Sequence, residues 1–277
     1  MLDAMPVTIA ELEAAAARGW RAPEEAPLGQ WLLRAAEGFS GRANSALAVG
    51  DPGVALAEAI RHVRDWYAAR GLPPMIAVPH PLGRPGDSHV DRFLGRRRWG
   101  VRPGPAIVMT AASAEVARTG PAGEAELRPE PDHAWLDLYA DLRGHKPPQV
   151  ARRLLLSAPF QAFARIRRDG GTVAIGRVAV AAGWGGLSAV AVRPGYRRAG
   201  LATAITAALA RAAVGQGAAC LYLQVAQDNA AARALYTRAG FTGHHAYHYR
   251  IAPAAGSHAT IGATQAVAVT GVPHGPA

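Results

Sequence analysis

The stretch that decides the fold is AVAVRPGYRRAGLATAITAALA, residues 189–210. It begins with small apolar residues typical of a strand and continues, from Leu201, with an alanine-rich run at helical spacing. Two adjacent arginines, Arg197 and Arg198, and a glycine, Gly200, lie between the two. A strand that turns directly into a helix leaves several backbone amides unpaired at the positive end of the helix dipole. The stretch therefore predicts an anion site, suited to the pyrophosphate of a coenzyme.

The side chains of this turn fit such a site. Gly200 permits backbone angles, or a close approach of a ligand, that a Cβ atom would obstruct. The small side chain of Ala202 adds little bulk to the first helical turn. The two arginines add positive charge and directional hydrogen-bond donors. The alternative interpretation is an ordinary strand-to-helix turn whose arginines are solvated.

Composition and charge narrow the classes of function. The chain has 277 residues, half of them hydrophobic, so it can form a sizeable core and two domains of ordinary size. Residues 1–132 hold 15 basic and 16 acidic residues, whereas residues 133–277 hold 15 basic residues and four aspartates. This asymmetry predicts an anionic partner for the second half. Since the arginines there are spread out with no run longer than two, we expect a polyphosphate and not nucleic acid.

The sequence also predicts the environment of the protein. Asp3, Glu11 and Glu13 near the start are incompatible with a signal or transit peptide, and no apolar run reaches membrane-spanning length. Cys220, the single cysteine, cannot form an internal disulfide and is expected to be a buried, inert thiol. We therefore expect a cytoplasmic protein, a monomer or a homodimer, with no membrane partner.

The order of predicted elements suggests two related halves. Residues 53–79 and 200–226 share a pattern of glycine, a helix of similar length, glycine, and then a strand. We interpret this as a structural duplication. The first half has Asp51 and Pro52 where the second has its arginines; a carboxylate repels phosphate and proline lacks an amide donor. The predicted organisation is a degenerate first domain (1–120), a linker (121–132), a catalytic domain (133–252) and a flexible tail (253–277).

Two motifs carry a family resemblance. VRPGYRRAGLA (192–202) resembles the acetyl-CoA signature of the GNAT superfamily of N-acetyltransferases, and NAAARALY (229–236), followed by Gly240-Phe241, resembles its second signature. They occur in the family order and at the family spacing, and the resemblance covers about residues 133–251. The two-part organisation resembles that of tandem members of the superfamily, in which one copy can lose its cofactor turn.

The resemblance implies an α+β GNAT fold, with a mixed, mostly antiparallel sheet, a splayed central strand pair and flanking helices. It implies that acetyl-CoA is the acyl donor and that Asn229 contacts this cofactor next to the helix that follows. The pantetheine arm would bind the backbone of Val190, Ala191 and Val192. The pyrophosphate would bind the turn formed by Arg197, Arg198, Ala199, Gly200, Leu201 and Ala202.

The implied function is an acetyl-CoA-dependent N-acetyltransferase that acts on the primary amine of a small molecule. Tyr236 would point at the sulfur and protonate the departing thiolate, because a phenol of ordinary pKa, ~10, is protonated at neutral pH. The alternatives are that this tyrosine only packs on the sheet, and that the protein is a non-catalytic CoA-binding sensor.

The sequence leaves the general base open. The strand 187–192 has no carboxylate, and His244, His245 and His248 on the last strand compete with proton removal through ordered water. We predict no metal site, since strand alternation divides these histidines between two faces. Trp184 is predicted to be either an exposed hairpin tip or a wall of the acceptor site.

Overall fold

A computed structural model describes residues 7–144 and 147–253. Its helices are α1 (Ile9–Gly19), α2 (Leu56–Ala68), α3 (His89–Arg96), α4 (Ser113–Ala117), α5 (His133–Arg143), α6 (Gln149–Leu155), α7 (Leu201–Gly215) and α8 (Ala230–Arg238). Its strands are β1 (Glu24–Leu28), β2 (Trp31–Ala35), β3 (Ala46–Leu47), β4 (Met75–His80), β5 (Gly100–Val101), β6 (Ala106–Ala112), β7 (Glu126–Arg128), β8 (Phe160–Arg168), β9 (Gly171–Ala181), β10 (Trp184–Val192), β11 (Cys220–Ala226) and β12 (Thr242–Ile251).

The described residues form two compact units. The first contains residues 7–13, 22–107 and 245–253, and the second contains residues 14–21, 108–144 and 147–244. The domain limits derived from the sequence remain a prediction. The predicted flexible tail lies, apart from residue 253, outside the described residues.

The first unit is built on the strand order β1-β2-β3-β4-β12. β3 and β4 are parallel and are joined by α2, while β1–β2, β2–β3 and β4–β12 are antiparallel. Helix α2 buries Ile60, Val63 and Tyr67 along one face, where they pack with Trp31 and Leu94 in a common core. Helical spacing of large apolar residues thus places α2 on its sheet.

The second unit has the strand order β6-β11-β10-β9-β8-β7. Strands β7 to β10 are antiparallel neighbours, and β10 and β11 are parallel, joined by α7. Leu201, Ile205 and Leu209 form a buried stripe along α7, the helix predicted from the spacing of residues from Leu201 onward. Helix α5 starts at Asp132, whose carboxylate accepts from the Trp135 amide at 2.9 Å.

Both units contain the same order of elements. The first has β3-α2-β4-α3 and the second has β10-α7-β11-α8, and in each the first helix joins two parallel strands. This repetition confirms the α+β class, the mixed sheets with flanking helices and the tandem arrangement predicted from the sequence.

Residues 121–132, interpreted from the sequence as a linker, contain β7. This strand pairs with β8, and Glu126 lies 2.8 Å from Arg165. Charged residues of this segment therefore form ion pairs along a sheet edge.

Among the described residues, none of the helices combines the length and apolar character needed to cross a membrane. The same part of the chain has no group of three or more His, Cys, Asp or Glu side chains placed to hold a metal ion.

Candidate functional site

Strands β10 and β11 separate after four paired residues. Trp184–Leu187 pair with Cys220–Leu223, and beyond this point β10 pairs only with β9. The register of β10 on β9 shifts between Ser188 and Ala191, and Ala189 in this bulge has a φ of 55°. The half-buried residues that follow thus face an opening on the β11 side, which confirms the predicted splay.

The end of β10 is fastened to its neighbours through Arg193. Its amide donates to the Val173 carbonyl at 2.8 Å, and its guanidinium donates to the Thr172 carbonyl at 3.0 Å and to Asp141 at 3.2 Å. In the 3₁₀ turn that follows, the Tyr196 hydroxyl donates to Asp169 at 2.7 Å. The base of the predicted phosphate turn is therefore fixed to the β8–β9 hairpin.

Left-handed backbone angles shape the turn itself. Arg198 has a φ of 65°, and Gly200, at the N-cap of α7, has a φ of 76°. A Cβ atom at Gly200 would meet no atom within 4 Å, so its backbone angle, and not crowding within the chain, favours glycine there. The amide of Ala204 donates to the Gly200 carbonyl at 3.0 Å. Since this is the first hydrogen bond of the helix, the amides of residues 201–203 have no earlier helical carbonyl to which they could donate.

The charge of this turn is not neutralised. Arg197 and Arg198 are exposed, and neither guanidinium group forms a hydrogen bond or an ion pair within the described part of the chain. Their guanidinium groups and the free amides lie at the positive end of α7. The structure thus brings the sequence-predicted residues 197–202 together in one exposed cationic turn. Whether they bind a cofactor stays a prediction.

Asn229 is the N-cap of α8. Its side-chain oxygen accepts from the Ala232 amide at 3.0 Å, so the side chain has a structural role at the start of this helix. A direct contact of Asn229 with a cofactor remains a prediction.

Tyr236 lies on α8, and its ring packs edge-on against Phe241 with a centroid distance of 5.7 Å. The side chain is buried, and this burial raises the pKa of its hydroxyl to about 12. The ordinary phenol pKa assumed from the sequence was therefore wrong. The group stays protonated at neutral pH but is a weaker acid than expected.

The histidines of β12 have structural partners. His245 lies 2.8 Å from Glu13, and His248 lies 2.6 Å from Asp91, which also accepts from Arg250 at 2.7 Å. Burial raises the pKa of Asp91, but the hydrogen bonds from Arg250 and His248 outweigh it, so that this pKa lies below its ordinary value. Both pairs are buried within the first unit, which explains His245 and His248 without a catalytic role.

The structure adds information on two residues of the second unit: Trp184, whose position the sequence left undecided, and Ser188, which the sequence did not single out. Trp184 is not a hairpin tip, because it starts β10 and its ring lies edge-on to Tyr222 at 6.5 Å. Ser188, just before the bulge, has a buried hydroxyl with no hydrogen-bond partner among the described residues. No pattern in the sequence singles out a serine in a small-residue strand.

A pocket of about 720 Å³ lies between α5 and α6. Its lining includes His133, Asp137, Asp141 and Arg152. Because Asp141 also pairs with Arg193, this pocket is tied to the base of the cationic turn.

The corresponding turn of the first unit is closed by its own residues. The Asp51 amide donates to the Gln30 side chain at 2.6 Å, and the Gly53 amide donates to the Asp51 carboxylate at 2.8 Å. A Cβ atom at Gly29 would lie 2.3 Å from the Pro52 carbonyl carbon, so the hairpin turn of β1 and β2 sits directly on this loop. The amides of Asp51 and Gly53 are thus already hydrogen-bonded within the unit, and Pro52 between them has no amide proton to offer.

Comparison with known proteins places these features in a family. A family model described as "Probable histone acetyltransferase Rv0428c C-terminal" matches residues 7–250. The "Uncharacterized N-acetyltransferase YobR" of Bacillus subtilis is 29% identical over 252 residues, which cover 88% of this chain and 98% of that protein.

Solved structures share the fold at low sequence identity. A GCN5-related N-acetyltransferase from Kribbella flavida has a TM-score of 0.66 at 18% identity, covering 90% of this chain and 97% of its own. A tandem GNAT protein from the clavulanic acid biosynthesis pathway has a TM-score of 0.60 at 13% identity, covering 77% of this chain and 76% of its own. The second likeness agrees with the repeated element order of the two units.

Proposed function

Since the chain belongs to the acetyltransferase family of the Rv0428c C-terminal region and has the GNAT fold, we propose that it transfers an acetyl group from acetyl-CoA to a primary amine. The acceptor in this proposal is a small molecule. Membership of the family makes the chain an acyltransferase; the identity of the donor and of the acceptor is the proposed part.

The cationic turn carries this proposal. The guanidinium groups of Arg197 and Arg198 have no partner among the described residues, and the amides of residues 201–203 lack a helical acceptor. A pyrophosphate would satisfy both sets of donors at once, because helix N-termini and guanidinium groups both bind phosphate oxygens well. The turn also follows directly on the opening between β10 and β11, where the backbone of Val190, Ala191 and Val192 would bind the pantetheine arm.

The chemistry is that of thioester aminolysis. Acetyl-CoA, when bound, supplies an activated carbonyl and a thiolate leaving group. An amide donor in the segment 190–192 would stabilise the oxyanion that forms as the amine attacks. Tyr236, protonated at neutral pH, would donate a hydrogen bond to the sulfur as negative charge develops on it.

We propose that the amine loses its proton to water. β10 has no carboxylate side chain, and His245 and His248 are held by buried carboxylates in the first unit. Without a dedicated base, the neutral fraction of the amine limits the reaction, and the rate of the chemical step rises with pH until the amine is deprotonated.

We further propose that one CoA binds per chain, in the second unit. In the first unit the amides of Asp51 and Gly53 are already hydrogen-bonded to Gln30 and Asp51, Pro52 has no amide proton, and the β1–β2 turn covers this loop.

The test is release of free thiol from acetyl-CoA in the presence of individual amines. Spermidine, glucosamine and a lysine-containing peptide sample a polyamine, an amino sugar and a protein-like acceptor. The polyamine is included because the pocket between α5 and α6 has two carboxylates in its lining. Amine-dependent thiol release supports the enzyme, whereas saturable CoA binding with no release from any amine would favour the sensor.

A further inference from the structure

The hydroxyl of Ser188 is an unexplained feature of the second unit. Its Oγ atom is buried and has no hydrogen-bond partner within residues 7–144 and 147–253. Buried polar groups in folded proteins are nearly always hydrogen-bonded, so an unpaired one calls for a reason.

The position of Ser188 supplies that reason. Leu187 and Leu223 form the last pair between β10 and β11, and the bulge begins at the next residue of β10. Ser188 therefore lies at the vertex of the opening between the two strands, where the proposed pantetheine channel ends.

The side chain of Ser188 is on the face of the sheet opposite α7. A Cβ atom at Gly185 would lie 3.0 Å from Ala213 of α7, whereas one at Gly186 would lie 2.3 Å from the Tyr222 hydroxyl. Because side chains alternate along a strand, Ser188 shares the face of Gly186 and Tyr222. Arg177, opposite Ser188 on β9, donates to the Leu155 carbonyl, which places the end of α6 on this same face.

Arg177 is the cross-strand neighbour of Ser188 on β9. Its guanidinium donates to the carbonyls of Leu155 at 2.7 Å and Gly19 at 3.3 Å. The Ser188 oxygen accepts none of these bonds, so its lone pairs remain available for a ligand.

We propose that Ser188 binds the attacking amine, an inference that rests on the proposed acetyltransferase function. A neutral primary amine has one lone pair for the carbonyl carbon and two N–H bonds, one of which can donate to Ser188 Oγ. As the C–N bond forms, the C–S bond breaks and its electron pair leaves on sulfur. The other amine proton is lost to water, and the thiolate gains one, so the products are an amide and a free thiol. The serine directs the lone pair and takes no proton.

Ser113 provides a matched control. It is fully buried at the start of α4, and its Oγ atom likewise has no partner among the described residues. It lies on an element that packs against α7, on the other face of the sheet. Replacing either serine by alanine removes the same unpaired hydroxyl, which on structural grounds leaves stability unchanged or slightly higher.

The experiment compares Ser188→Ala and Ser113→Ala with the wild type, using the amine of the panel that releases thiol fastest. Ser188→Ala is expected to lower kcat/KM for this amine about fivefold to tenfold, the usual effect of losing one hydrogen bond. Its affinity for CoA by calorimetry and its melting temperature should match the wild type. Ser188→Thr, which keeps the hydroxyl, should recover most of the loss, and Ser113→Ala should react like the wild type.

An unchanged kcat/KM in Ser188→Ala, or an equal loss in Ser113→Ala, would refute the role of Ser188 while the proposed function stands. If the wild type neither binds CoA nor releases thiol with any amine, the proposed function fails and the role of Ser188 fails with it.

Discussion

The substitution Tyr236→Phe tests whether this tyrosine acts in catalysis or only packs on the sheet. The substitution keeps the ring, its burial and its edge-on contact with Phe241, and removes only the hydroxyl. With a pKa of about 12 against ~8.5 for an ordinary thiol, the phenol is the weaker acid by about 3.5 pH units. Complete proton transfer to the thiolate would then be uphill by roughly 5 kcal/mol, so we expect the phenol to act as a hydrogen-bond donor.

The size of the effect follows from that role. A hydrogen bond to a charged group is worth about 1.5–3 kcal/mol, which corresponds to a loss of roughly 10- to 150-fold in kcat. The loss should appear in the chemical step and not in KM, and should shrink with a thioester whose thiol is more acidic. Because burial raises the pKa of Tyr236, the phenol stays protonated below about pH 12. Below pH 11 the dependence of kcat on pH should therefore have the same shape in Tyr236→Phe as in the wild type.

Tyr67→Phe is the matched control in the first unit. The Tyr67 hydroxyl donates to the Arg34 carbonyl at 2.8 Å, so its removal should cost about 1 kcal/mol of stability, or ~2–4 °C, with no change in kcat. Tyr236→Phe should do the reverse, slowing thiol release with the melting temperature kept within ~2 °C. An unaltered kcat in Tyr236→Phe, with chemistry shown to be rate-limiting, would remove this tyrosine from the mechanism.

Three further outcomes are expected. Calorimetry should give one CoA per chain, and two equivalent sites would contradict the closed turn of the first unit. Gly29→Ala should lower stability by at least ~2 kcal/mol, because its Cβ would lie 2.3 Å from Pro52; Gly71→Ala, which has a similar left-handed φ and open space, should cost less, and a reversed order would refute the packing argument. The lowered pKa of Asp91 contributes stability that is present above the ordinary carboxyl pKa of ~3.9 and is lost as the pH falls through the lower, folded-state value. In urea titrations, the stability gap between wild type and Asp91→Asn should therefore shrink below about pH 4, and a constant gap would rule this out.

The features predictable from the sequence are those set by local patterns. The strand–turn–helix of residues 189–210 carries its own signals, since Gly200 supplies a left-handed N-cap and the stripe from Leu201 defines the buried face of α7.

The features missed depend on contacts between distant parts of the chain. Glu13 meets His245 across 232 positions of sequence, so no local pattern could identify that histidine as a buried partner. The pKa of Tyr236 depends on how completely α8 is covered, which residue type alone does not reveal. Asp51 and Pro52 indicated a lost phosphate turn, but the Gln30 side chain that closes it belongs to another hairpin and carried no signal.

The positions of residues 190–192, 197–202, Asn229 and Tyr236 follow from the fold, whereas their contacts with a ligand depend on the bound state. The cationic turn is the part of the account on which the other proposals depend.

The most direct test of that turn is CoA binding by calorimetry in Gly200→Glu and Gly217→Glu. Both glycines have a φ of 76° and open space around the Cβ position, and they lie at opposite ends of α7. The backbone strain added by glutamate should therefore be alike, and only Gly200→Glu places a carboxylate where phosphate would bind. The account predicts that CoA binds Gly217→Glu with wild-type affinity and that Gly200→Glu shows no measurable binding. Wild-type affinity in Gly200→Glu, or an equal loss in both variants, would contradict it.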